Sequence, residues 1–191
     1  MNRRRSRLDL AMPRSGVFED ARSPLCSIRS GRSEILAAAP VRSRRRFPPF
    51  VKQVIAVDRS GEMLQAARRR LREHTNVEVR RGELESLPIA DRELDVATLM
   101  LVLHHLSDPA EVLHEAARAL RTGGRLLICD MLPHDREEYR QQMGHVWLGF
   151  GEEQLRGLLA GAGFVDVRIV PLETARDAKG PALFAAGALR T

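Results

Sequence analysis

From Val51 to the end, short apolar runs alternate with amphipathic stretches, which is the texture of an α/β fold. Val54-Ile55-Ala56-Val57 is a continuous apolar run closed by Asp58, as in a parallel strand covered on both faces. Ser60 can cap a following helix with Glu62 in its first turn, and Met63, Ala67 and Leu71 share one face at i, i+4 and i+8. The pattern then predicts a strand over 77–79, a connection through Gly82 and Pro88, and a second apolar strand from Leu94 to Leu99. Asp108-Pro109-Ala110-Glu111 is a helix start: a capping aspartate, proline at the first helical position and glutamate at the third. Leu113, Ala116, Ala117 and Leu120 give that helix its core face, and Gly123-Gly124 marks its stop. A strand over 125–130, a helix over 152–160 and two terminal β runs, 164–170 and 182–188, complete the pattern. Strands separated by helices make a mostly parallel sheet, and two successive strands without a helix between them make an antiparallel C-terminal hairpin at one edge.

The first 50 residues lack any such period. Arginine clusters, Ser-Arg pairs and prolines at 13, 24, 40, 48 and 49 predict a disordered segment over 1–50, in which only Glu34 to Ala39 is suited to a short ordered run, and a folded domain over 51–191. This segment also explains the charge. It holds 12 arginines against 4 acidic residues, whereas residues 51–191 hold 19 basic against 21 acidic, so the net +6 belongs to the N-terminal quarter. Asp9, Glu19 and Asp20 interrupt what would be a transit peptide, and no apolar core follows the arginines as in an export signal. A solvated tail is the simplest reading, and nucleic acid is not an expected partner. No apolar stretch approaches the ~20 residues of a membrane span, and Cys26 and Cys129 have no paired spacing, so a cytoplasmic protein without a metal motif is expected.

Open parallel sheets bind ligands outside the carboxyl ends of their strands. The residues there are Asp58-Arg59, Gly82-Glu83-Leu84, Leu99 to His105, and Asp130. An ionised carboxylate ending the second strand offers two coplanar acceptors, which suits the vicinal hydroxyls of a ribose. The bland alternative for Asp58 is an aspartate that merely starts the next helix.

At these positions the chain resembles the class I S-adenosylmethionine-dependent methyltransferases. The resemblance is carried by residues 54–60 with Met63-Leu64, by 77–79 with Gly82-Glu83 and Leu87-Pro88, by 94–96 with Leu103-His104-His105-Leu106, and by 120–128. The stretch from Trp147 to Phe150 with 158–164 is similar to methyltransferase domains fused behind ArsR-type regulators. The resemblance implies a Rossmann-like fold, S-adenosylmethionine as cofactor and a small-molecule methyl acceptor. It implies that Asp58 holds the ribose with Arg59 beside it, that Gly82, Glu83 and Leu84 flank the adenine, and that Leu99 and Met100 lie near the methionine moiety. His104 and His105 follow the strand that borders the acceptor, where they shape the pocket or act as general base.

One motif departs from the family pattern. About twenty residues before Asp58 the family carries a strand ending in Asp-x-Gly-x-Gly-x-Gly, whereas this chain has Glu34-Ile35-Leu36-Ala37-Ala38-Ala39-Pro40 with no glycine. The domain is therefore expected to lack a normal first strand and glycine loop, with weak folding and a weakened hold on the methionine end of the cofactor. The abrupt change at Val51 further suggests that the first 50 or so residues are not the domain's ancestral sequence. Two functions stay open at this point: a methyltransferase acting on a small molecule, or a non-catalytic remnant with residual binding of a nucleotide-like ligand.

Overall fold

A computed structural model describes residues 51–173 and 180–191 together with the backbone of 34–37. One seven-stranded sheet organises them, in the order β3-β2-β1-β4-β5-β7-β6. Its strands are β1 (Glu34–Ala37), β2 (Val54–Asp58), β3 (Val77–Arg81), β4 (Leu94–Met100), β5 (Leu120–Met131), β6 (Phe164–Pro171) and β7 (Leu183–Arg190). Four helices accompany them: α1 (Gly61–Leu71), α2 (Pro109–Ala119), α3 (Glu138–Met143) and α4 (Glu152–Gly161). Strands β1 to β5 run parallel, and β7 is antiparallel to both β5 and β6. The expected hairpin is present, but it is inverted in space relative to its chain order: β7 lies inside, against β5, and β6 forms the edge.

The central slot, which the sequence left without a normal strand, is held by β1. It is only four residues long and falls in the one N-terminal run suited to order. Glu34 and Ile35 align with Val54 and Ile55 on one side, and Glu34 to Ala37 align with Val96 to Leu99 on the other. Over that length the backbone groups of β2 and β4 have a neighbour, so the open centre expected from the sequence is closed. The expectation of disorder elsewhere in 1–33 and 38–50 lies outside the described residues.

Local sequence explains most element boundaries. All five residues of β2 are buried, as an apolar run covered on both faces requires. Ser60 caps α1, its Oγ accepting the Met63 N–H at 3.3 Å. The inward stripe of α1 is Leu64, Ala67 and Leu71, while Met63, expected on that face, is 37% exposed. Both sets have helical spacing, and contact with the sheet selects the one a residue further on. Asp108 caps α2, its Oδ1 accepting the Ala110 N–H at 2.9 Å, with Pro109 at the first position.

The end of α2 corrects the sequence reading. The helix stops at Ala119, and β5 begins at once with Leu120 rather than at Arg125. Leu120 pairs with Leu94 and Arg125 with Val96, so the residues between form an irregularity in the ladder. Gly123 takes a φ of +73° there, and a Cβ on Gly124 would come within 2.8 Å of the Arg121 carbonyl oxygen. The glycine pair thus serves a bulge inside the sheet rather than a helix stop.

The larger core lies on the sheet face covered by α2 and α4, where Leu113, Leu120, Leu126, Phe150, Leu155 and Phe184 are almost fully buried. A smaller cluster of Val54, Met100 and Cys129 occupies the other face. No helix among the described residues is long and apolar enough to cross a membrane.

A polar staple joins α2 to the loop before β4. Glu115 accepts the Leu87 N–H at 2.7 Å and pairs with Arg118, whose guanidinium also reaches the Ile89 carbonyl and Asp91. The Arg118 hydrogen bonds hold the Glu115 carboxyl below the usual carboxylate range. Glu115→Ala is expected to cost ~1–3 kcal/mol, because it leaves the Leu87 N–H without its acceptor and Arg118 without its partner. A lowered urea midpoint with an unchanged slope checks this.

Candidate functional site

The direction of the sheet reverses around β1, with β2 and β3 built to one side and β4 and β5 to the other. Such a switch point opens a crevice at the carboxyl ends of the strands. Asp58 ends β2 there, 9% exposed, with Oδ1 accepting the Ser60 N–H at 2.9 Å. Its carboxylate therefore does help turn the chain into α1, as the bland reading of this residue held. Arg59 is exposed beside it.

Gly82 follows β3 and donates its N–H to the Asp58 carbonyl at 3.3 Å, so the ends of β2 and β3 are tied together. A Cβ at Gly82 would approach Pro88 Cδ to 2.5 Å, which is why glycine stands here. Glu83 is exposed and bridges to Ser86, whereas Leu84 turns into the core. Leu99 and Met100 are both buried but on opposite faces, Leu99 in the α2-side core and Met100 with Val54 and Cys129. The sequence-selected residues thus reach one edge of the sheet, with Leu84 and Leu99 presenting core side chains there.

The histidine pair has a more developed setting than the sequence indicated. At the end of β4 the chain bends through Leu101, at φ 55°, and enters a 3-10 turn over Leu103–His105. His104 is 2% exposed, and its Nδ1 lies 2.7 Å from Asp130 Oδ1. Asp130 is fully buried and also accepts the Leu103 N–H at 2.9 Å and the Met131 N–H at 2.8 Å. The His105 ring is centred 4.1 Å from that of His104, and its Nδ1 stands 3.2 Å from the Gly144 carbonyl.

A third imidazole, His145, completes the group, 4.3 Å from His104 and 5.1 Å from His105 between ring centres. It arrives from the segment between α3 and α4. Val146 and Trp147 donate their N–H groups to the His104 carbonyl at 2.9 and 3.0 Å, and Trp147 Nε1 donates to the Leu106 carbonyl at 2.9 Å. His134 and Tyr139 lie further out, 6.4 and 5.1 Å from the His145 ring. Burial, reinforced by the neighbouring imidazoles, pushes His145 down to about 4, and loss of water lowers His105 as well. Both shifts favour the neutral imidazole, in which one ring nitrogen keeps a lone pair.

Sequence reasoning found His104 and His105 from their place after a strand, and noted Asp130 without giving it a role. It missed His145 and His134. The available signal was that five of the chain's six histidines fall within residues 104–145.

The strap that carries His145 depends on Gly149. Its φ is +87°, and a Cβ would overlap the Leu132 carbonyl, while the neighbouring Phe150 N–H donates to the Met131 carbonyl at 2.9 Å. Gly149→Ala is expected to destabilise by about 3 kcal/mol or more, combining left-handed strain with overlap against backbone. Thermal unfolding should show this as a Tm roughly 6 to 12 °C lower.

Comparison with known proteins agrees with this geometry. Residues 36–128 match the family described as Methyltransferase domain. An uncharacterised 37.1 kDa protein in transposon TN4556 of Streptomyces fradiae is 39% identical over 140 residues, which are 66% of this chain and 41% of that protein. The chain thus spans less than half the length of this relative. Among solved structures, the YcgJ protein of Bacillus subtilis superposes with a TM-score of 0.68 at 20% identity, covering 86% of this chain and 94% of that one. Phosphoethanolamine N-methyltransferase 2 of Haemonchus contortus, solved in complex with S-adenosyl-L-methionine, superposes with a TM-score of 0.72 at 15% identity, covering 87% of this chain and 50% of that one. At such identities the likeness is one of fold, and it extends over most of the chain. The matched residues, the sheet order and the crevice at the switch point agree: residues 36–128 match a methyltransferase domain, and the fold is that of class I methyltransferases.

Proposed function

We propose that this domain binds S-adenosylmethionine in the crevice at the carboxyl ends of β2, β3 and β4 and transfers its methyl group to a small molecule. The observation that carries the reading is the placement of Asp58, a buried carboxylate ending the strand next to the switch point, in a chain whose residues 36–128 match a methyltransferase domain.

The donor set fits the nucleoside end of the cofactor. Asp58 supplies carboxylate oxygens for the ribose hydroxyls, Arg59 borders them, and Gly82, Glu83 and Leu84 offer backbone, a carboxylate and an apolar flank for the adenine. Leu99 and Met100 bring the β4 backbone to the methionine side. The sequence after β1 is Ala38-Ala39-Pro40, which lacks the glycines whose side-chain-free backbone would approach the methionine end. Binding through the ribose and adenine therefore outweighs binding through the methionine.

When bound, the cofactor supplies a methyl group already activated by its sulfonium, so the protein's own work is alignment and exclusion of water. His104 and His105 stand at the end of β4 on the acceptor side. His104 is held in orientation by Asp130, and the neutral His105 imidazole can accept a proton from an acceptor hydroxyl or ammonium.

Calorimetric titration with S-adenosylhomocysteine tests the reading. Micromolar binding is expected, and Asp58→Ala is expected to weaken it by ~1–3 kcal/mol through loss of hydrogen bonds to a charged acceptor. Binding that is absent up to the millimolar range would instead favour the non-catalytic remnant. A second expectation separates the two ends of the ligand. Adenosine should compete with S-adenosylhomocysteine almost as well as the whole molecule does, because the glycine-free segment contributes little to the methionine end. Free methionine should not compete measurably.

A further inference from the structure

We propose that His104, His105 and His145 form a binding site for one divalent transition-metal ion of the kind imidazole nitrogen prefers, with Zn2+ as the reference ion. This goes beyond the methyl-transfer reading and does not rest on it, since the ligands are the chain's own side chains.

Ring chemistry assigns the ligand atoms. With Asp130 and the Gly144 carbonyl as the acceptors facing Nδ1 of His104 and His105, Nε2 is the nitrogen that each ring can offer to a metal. His145 Nδ1 is buried with no hydrogen-bond partner. An unpaired buried nitrogen destabilises a fold unless something occupies its lone pair, and a cation does so. One ligand atom from each residue lies within 4.8 Å of those from the other two. Tetrahedral nitrogens around zinc stand about 3.4 Å apart, given zinc–nitrogen bonds of about 2.0–2.1 Å. The gap is of the size that ring rotations close, and His105 is on the exposed side where its ring can turn.

The surroundings have the features of a metal site. Asp130, behind His104, reproduces the carboxylate–histidine pair that orients metal-bound imidazoles, and its oxygens also accept the Leu103 and Met131 N–H groups. The carboxylate is thereby committed to supporting His104 rather than to ligation. Three imidazole nitrogens without a ligating carboxylate select zinc, copper, nickel or iron over magnesium and calcium. Three protein ligands rather than four also leave a coordination position for water or for an oxygen or nitrogen of a small molecule. Because the turn follows Met100 directly, an ion there would stand beside the crevice.

The test uses the full chain without an affinity tag, stripped by a chelator and titrated with Zn2+ against a chromophoric competitor and with Co2+ by visible absorption, no cofactor being present. One ion per chain with micromolar or tighter affinity is expected, together with the Co2+ spectrum of a nitrogen-rich, low-coordinate site. His104→Ala and His145→Ala should each weaken Zn2+ binding at least about 100-fold, and Asp130→Asn about 10- to 100-fold. The exposed His114→Ala should leave it unchanged. Should the core variants lose their far-UV circular dichroism, the unaltered chain decides the matter: Zn2+ should protect His105, the exposed member of the three, from acylation by diethyl pyrocarbonate but leave the exposed His114 reactive. Absence of stoichiometric binding up to about 1 mM Zn2+, or binding and protection that ignore these three residues, would overturn the proposal. Either result is independent of S-adenosylhomocysteine titration, so the two readings fail separately.

Discussion

The functional end of this domain hangs on one buried carboxylate. Asp130 is inaccessible to water, and a carboxylate in that position needs hydrogen bonds on its oxygens. It obtains them from the Leu103 N–H, the Met131 N–H and the His104 ring, and so fixes the turn after β4 against the end of β5. With His104 fixed, its carbonyl accepts the Val146 and Trp147 N–H groups and locates the strap that brings in His145. A single satisfied charge thus sets the relative position of three chain segments that are far apart in sequence.

The sheet supplies the rigid base. Its five parallel strands aim their carboxyl ends at one edge, and the antiparallel β7 secures β5 along seven aligned residues from Arg125 to Met131. That pairing places Asp130 opposite Phe184, itself fully buried, so the apolar neighbour shields the carboxylate while its three hydrogen bonds offset the cost of burial. The C-terminal hairpin therefore bears on the site through β7.

The short β1 shows how a central parallel strand can be reduced. Four residues suffice to align with both β2 and β4, and the fold superposes on that of a solved N-methyltransferase with a TM-score of 0.72. What lies beyond the strand is chemically different from the family pattern, because alanines and a proline replace glycines. Sheet integrity and cofactor contact are separable properties of this region: the first needs backbone in register, the second needs backbone without side chains.

The caps at Ser60 and Asp108, the buried run of β2 and the α/β alternation were legible in the sequence, because each is decided by hydrogen bonds and periodicity spanning a few residues. So was Asp58, from its place at a strand end. Tertiary structure alone decided that Leu64 rather than Met63 faces inward, that β5 starts at Leu120, and that β7 lies inside β6, since each depends on which surface another element presents. It also decided the histidine cluster. His145 lies some forty residues from His104 and on no shared element, and only the closure of the strap over a buried aspartate brings their rings to 4.3 Å. Local sequence specifies what each segment becomes; the burial of a charge and the packing around it specify which segments meet.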